Sequence, residues 1–129
     1  MFSENFLRVF FLSQVTVEAA VKKYGSFQAL NQVSLDIPSG AFFTLLGPSG
    51  CGKTTLLNMV AGFLNPSSGD LQLGGNTITG PGVERGMVFQ QGALFEWLTV
   101  SKNVDFGLRM KNMPAADRKK LVDKWLDIV

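Results

Sequence analysis

One glycine-punctuated stretch, Gly47-Pro48-Ser49-Gly50-Cys51-Gly52-Lys53-Thr54-Thr55, constrains this chain more than any other feature. Glycine, four residues, then Gly-Lys-Thr is the pattern of a loop that wraps phosphate groups between a strand and a helix. The spacing has a physical cause. Gly47, Gly50 and Gly52 let the backbone take turns that side chains obstruct, so that successive N–H groups converge on phosphate oxygens. A helix starting near Lys53 adds its unpaired amides and the positive end of its dipole at the same point. Lys53 brings a mobile ammonium for the β- and γ-phosphates, and the Thr54 hydroxyl is placed to bind Mg²⁺. Pro48, Ser49 and Thr55 complete the phosphate-binding set, and Cys51 reads as a small filler within it.

The flanks agree with this motif. Ala41 to Leu46 is a nearly continuous apolar run, which predicts a strand buried on both faces. After the loop, Leu56, Leu57, Met59, Val60, Phe63 and Leu64 cover most of a helix's circumference, which predicts a buried helix ending at Asn65-Pro66. Upstream, Val15–Tyr24 and Val33–Ile37 read as strands joined through a Gly25-Ser26 turn. Downstream, Asp70–Leu73, a Gly74-Gly75-Asn76 turn and Thr77–Thr79 read as a hairpin, and Gly86–Gln90 as one more short buried strand. Thr99 caps a helix through Met110, and Pro114 opens another whose apolar face holds Leu121, Val122, Trp125, Ile128 and Val129. That periodicity is still running at Val129, which predicts that the chain is a front piece of a longer domain.

Composition excludes some classes. With 129 residues, 46% of them hydrophobic and 17% charged, the chain has the makings of one ordinary globular core. A net charge of +2 gives no long-range pull on nucleic acid, and no nucleic-acid partner is expected. Arg118, Lys119, Lys120 and Lys124 are expected to form the solvated face of the last helix. The apolar stretch Phe6–Leu12 is interrupted by Arg8 and is far shorter than the ~20 residues of a membrane-spanning helix. Residues 1–14 are therefore expected to be an N-terminal extension to a domain spanning 15–129. The single cysteine fits a reducing compartment, and the absence of histidine removes the commonest general base.

With the loop in place, the surrounding residues resemble the ATP-binding subunits of ABC transporters from about Val15 onward. The resemblance rests on Gly-Pro-Ser-Gly-Cys-Gly-Lys-Thr-Thr-Leu-Leu, on Tyr24 followed by Gly25 and Ala29-Leu30, and on Gly86-Met87-Val88-Phe89-Gln90. It implies an α/β fold, an incomplete P-loop NTPase core with an antiparallel β-subdomain, cut short in the helical subdomain. It implies that Tyr24 stacks on adenine through its flat ring face. It also implies that Gln90 is the loop glutamine that meets Mg²⁺ or the attacking water through its amide oxygen. The resemblance makes ATP and Mg²⁺ the cofactors and Lys53 and Gln90 the catalytic pair. Its implied partners are a transmembrane permease subunit, a second ATP-binding subunit and, indirectly, a periplasmic substrate-binding protein. The implied location is peripheral, on the cytoplasmic face of the inner membrane. Gly80-Pro81-Gly82-Val83-Glu84-Arg85-Gly86 and Trp97 look like the branch serving taurine, sulfonates and nitrate, although Glu96 stands where that branch has a proline.

The family's Leu-Ser-Gly-Gly-Gln signature, its apolar strand ending in Asp-Glu and its switch histidine do not occur in this sequence. Catalysis of phosphoryl transfer is mostly positioning and charge neutralisation, so a chain lacking those groups is expected to leave hydrolysis near background. The alternatives are a remnant that binds nucleotide without turnover, or binds nothing, and another P-loop NTPase such as a small-molecule kinase. A GTPase is disfavoured because neither Asn-Lys-x-Asp nor Asp-x-x-Gly occurs. A kinase reading of Asp105-Phe106-Gly107 fails because the triplet falls within an expected helix and lacks a His-Arg-Asp loop.

Overall fold

The computed structural model describes residues 7–10, 13–89 and 92–129. The chain divides into two units, Met1–Met87 and Val88–Val129.

The first unit is built on strand β2 (Val15–Tyr24), whose valines face inward while Glu18 and Lys23 face water. β2 pairs antiparallel with β3 (Phe27–Ile37) on one side and with β5 (Ser68–Leu73) on the other, and β5 pairs with β6 (Asn76–Thr77). The resulting sheet runs β3-β2-β5-β6. The partial alternation of β2 has its cause at Ala19, where φ is 45° and both ladders slip register. The Ala19 amide leaves the ladder and donates instead to the Ser34 hydroxyl at 2.9 Å. Such a bulge restarts the two-residue period one position late, and Ala20 and Val21 are consequently both buried.

Helix α1 (Lys53–Val60) lays Leu56, Met59 and Val60 against Val15, Val17 and Leu71 of the sheet, and Met59 is only 1% exposed. The helix stops at Val60, short of the Asn65-Pro66 boundary expected from its apolar pattern. Gly62, at φ 84°, takes the left-handed conformation, and its amide donates to the Met59 carbonyl while that of Phe63 donates to Asn58. These are the two bonds of a Schellman stop. A side chain at Gly62 would also run into the Gly80 carbonyl. Phe63 and Leu64 thus belong to the loop, with Phe63 exposed.

Strand β4 (Phe42–Leu45) pairs antiparallel with β1 (Leu7–Phe10), in register from Leu7 opposite Leu45 to Phe10 opposite Phe42. The segment expected to be buried on both faces is not: Phe42 is exposed, Phe43 to Leu45 are half-buried and Leu46 is 74% exposed. A run of apolar side chains is buried on both faces only when layers cover both, and α1 and the sheet cover one side of Phe43 and Leu45. The expected strand at Gly86–Gln90 also fails to form over residues 86–89, where Val88 is 89% exposed. A strand is a pairing, and no neighbouring strand offers one to this segment among the described residues. Arg85, just before it, turns inward and is 8% exposed, paired to Glu84 at 2.9 Å and donating to the Gly80 carbonyl.

The second unit holds helices α2 (Val100–Met110) and α3 (Ala115–Ile128). Thr99 caps α2 as expected, its hydroxyl accepting from the Lys102 amide at 3.3 Å. Asn103 fastens the preceding turn to the helix: its amide group donates to the carbonyls of Phe95, Leu98 and Thr99, and its oxygen accepts from the Phe95 amide. Phe95 stacks at a tilt between Trp97 and Phe106, with ring centroids 5.3 and 4.6 Å away. Arg118 departs from the solvated face expected of it. Its guanidinium binds Asp105 at 2.7 Å and the Met113 carbonyl at 2.8 Å, which ties α3 to α2 and occupies the Asp of the kinase-like triplet. Of the apolar face expected on α3, Val122 is buried, whereas Trp125 and Ile128 are more than half exposed.

Candidate nucleotide-binding site

Gly47–Gly52 joins β4 to α1, so the loop hangs between a strand end and the N-terminus of a buried helix. Gly52 is the cap of that helix, at φ 94°, and offers no side chain to the helix amides. The first amide to find a carbonyl one turn back is that of Leu56, which donates to Gly52 at 2.9 Å. The amides of Lys53, Thr54 and Thr55 therefore open the helix toward whatever acceptor occupies the loop.

Gly52 does more than turn the chain. A Cβ there would sit 2.6 Å from the Ala29 carbonyl, so the loop rests directly on the start of β3. Gly52→Ala is expected to combine left-handed strain with this backbone overlap and to destabilise the first unit by about 1–3 kcal/mol. A thermal melt of the variant measures it, and an unchanged midpoint contradicts the packing described.

Lys53 is folded back over the loop. Its ammonium donates to the carbonyls of Gly47 and Pro48, both at 2.6 Å, and lies 3.4 Å from the Cys51 sulfur. Cys51 lies across the loop, 2.8 Å from where a Cβ on Gly47 would stand. The ammonium thus sits inside the turn that leads into the open amides of α1, held by carbonyls of the loop itself.

The structure brings most of the expected site residues together in the first unit. Pro48, Ser49 and Gly50 are exposed at the loop's crest, Thr54 is exposed on the first turn of α1, and Thr55 is half-buried beside it. Tyr24 ends β2 and faces Phe27 across the Gly25-Ser26 turn, two residues along β3 from the Ala29 carbonyl that meets Gly52. At ~3.4 Å per residue, that turn lies about 7 Å along the strand from the loop contact. Gln90 lies outside the described residues. No sequence signal marks Lys22, yet its ammonium lies over the Tyr24 ring.

A short strand feeding a glycine loop onto an uncapped, core-anchored helix with lysine at its first position is the architecture of P-loop nucleotide-binding proteins. The model of the ABC transporter family matches residues 30–129, and the chain belongs to that family. It is 64% identical to the taurine import ATP-binding protein TauB of Pelagibacter ubique (strain HTCC1062), over 78% of this chain and 38% of that one. It is also 64% identical to the protein of the same name from Roseobacter denitrificans (strain ATCC 33942 / OCh 114), over 79% of this chain and 38% of that one. The chain thus spans 38% of the length of these curated relatives. Among solved structures, the ADP conformation of MJ1267, an ATP-binding cassette of an ABC transporter, aligns at 34% identity with a TM-score of 0.47, covering 52% of this chain and 26% of its own.

Proposed function

We propose that this chain binds Mg-ATP through Gly47–Thr55 and forms the phosphate-gripping part of an ABC importer's ATP-binding subunit. The observation that carries the reading is the convergence of the open amides of α1 and the Lys53 ammonium on one loop. Tyr24, at the neighbouring hairpin turn, stacks on the adenine. Mg²⁺, when bound, would supply neutralisation of phosphate charge; because this ion prefers few protein ligands, phosphate oxygens and several waters, the exposed Thr54 hydroxyl on the first turn of α1 fits its donor set and would hold it. Gln90 would offer a further oxygen to the ion or to the attacking water. Lys53 neutralises charge on the β- and γ-phosphates.

The names of the relatives support taurine or a related sulfonate as the cargo. The partners are a permease subunit, a second ATP-binding subunit and, through the permease, a periplasmic substrate-binding protein. The names of the relatives, import ATP-binding proteins, support a peripheral site on the cytoplasmic face of the inner membrane. Among the described residues no helix is long and apolar enough to cross a bilayer, and Leu94 and Trp97 are 66% and 80% exposed. Exposed apolar side chains held on an ordered turn suit a protein interface.

Amide hydrogen exchange tests the binding reading. Mg-ATP is expected to slow exchange at Lys53, Thr54 and Thr55, AMP is expected to leave these amides unchanged, and equal effects of the two ligands would sink it. Phosphate release measured on the same samples is expected to stay near background, because the signature and the Asp-Glu strand end do not occur in this sequence.

A further inference from the structure

We propose that Lys22 is a positioning residue for the adenine platform, an inference that rests on reading Tyr24 as that platform. Lys22 and Tyr24 alternate on β2, so their side chains leave the strand on the same face. The Lys22 ammonium lies over the Tyr24 ring, 5.4 Å from its centroid. It is held there by the Asn65 carbonyl, to which it donates at 2.7 Å. The segment carrying that carbonyl is itself stitched to β2 on both sides of Lys22. The Ser67 amide donates to the Val21 carbonyl at 2.7 Å, and the Lys23 amide donates to the Ser67 hydroxyl at 3.0 Å. Lys22 is half-buried, whereas Tyr24 is 49% exposed.

These contacts assign the two faces of the ring different partners. A cation is drawn to the negative face of an aromatic ring, and partial burial strengthens the attraction. With one face held by an anchored ammonium, the exposed tyrosine loses the freedom to swing at the end of its strand, and its other face is left for the base. The ammonium also draws electron density from the ring, which favours stacking against an electron-rich purine. Lys22 acts through Tyr24 and touches neither the phosphates nor the reacting atoms.

The test compares Mg-ATP with Mg-tripolyphosphate, which carries phosphates and no base, by calorimetric titration of the full chain. Lys22→Gln keeps a neutral donor and removes the charge; it is expected to weaken Mg-ATP about two- to fivefold and to leave tripolyphosphate affinity unchanged. Lys22→Arg is expected to match the parent with both ligands. Equal losses for both ligands, or no loss of ATP affinity, overturn the inference. Tyr24→Ala, measured alongside, separates the two levels. If it leaves the ratio of the two affinities unchanged, the platform reading falls and takes the role of Lys22 with it. If it collapses the ratio while Lys22→Gln does not move it, only the role of Lys22 falls.

Discussion

Lys53→Ala is expected to weaken Mg-ATP binding by about ten- to a hundredfold while leaving the affinity for adenosine nearly unchanged. The magnitude follows from the kind of bond lost. Hydrogen bonds that involve a charged partner contribute ~1.5–3 kcal/mol each, and at ~1.4 kcal/mol per factor of ten this spans the stated range. The ammonium now bonds to the carbonyls of Gly47 and Pro48 at 2.6 Å, so turning toward phosphate exchanges two neutral acceptors for a charged one. The same contacts make Lys53 part of the loop's own scaffold. Its removal therefore loosens the turn as well as removing a charge, and Lys53→Arg is expected to recover charge but not geometry, since a planar fork does not fit where an ammonium meets carbonyls from two adjacent residues. Titration calorimetry with Mg-ATP and adenosine checks the pair of values. A Lys53→Ala chain that holds Mg-ATP as firmly as the parent removes the basis for reading this loop as a nucleotide site.

Met59→Ala is expected to be the most destabilising single change in the first unit. Met59 is 1% exposed and sits where α1 meets Val15, Val17 and Leu71. Truncating a buried side chain of this size costs about 2–5 kcal/mol, from lost transfer energy and from the cavity left behind. Whole domains are stable by only about 5–15 kcal/mol, so the change removes a large share of the total. For a unit of this size each kcal/mol shifts the melting midpoint by about 4–8 °C, and a fall of about 8 °C or more is expected in a thermal melt. The effect reaches the site because the contacts of Leu56, Met59 and Val60 fix the helix whose first amides face the loop. Nucleotide binding near the melting range is expected to fall together with the fold. A midpoint within about 2 °C of the parent contradicts the seating of α1 on the sheet.

Local chemistry makes much of the molecule legible in its residue order. The phosphate loop, the Thr99 cap and the Gly74-Gly75 hairpin turn each depend on atoms within a few residues of one another, so spacing alone carries them. β2 begins and ends at Val15 and Tyr24, as its composition implies. Elements that depend on distant neighbours are less legible. β3 starts at Phe27 rather than Val33 because β2 offers a partner as far as its own end, with Tyr24 opposite Phe27. Residues 86–89 have a strand's composition and no strand to pair with among the described residues. The expected extension at residues 1–14 includes Leu7–Phe10, whose pairing with β4 carries no strong sequence signal because edge pairing is made by main-chain groups that every residue shares. Gly62 has the composition of a helix stop, but the apolar residues Phe63 and Leu64 behind it mask the signal.

By itself, then, the amino-acid order determined that a glycine-rich turn stands before a helix with lysine at its first position, and that the chain is of the ABC transporter kind, since these depend on short-range backbone geometry and on residues at set spacings. Tertiary structure alone decided where Lys53 points, which glycine meets the Ala29 carbonyl, that Arg118 turns inward to Asp105, and that Lys22 rests on Tyr24. Those facts arise from groups brought together across the fold, and their positions follow from the packing of α1 on β2 and β5, of β3 on β2, and of α2 on α3.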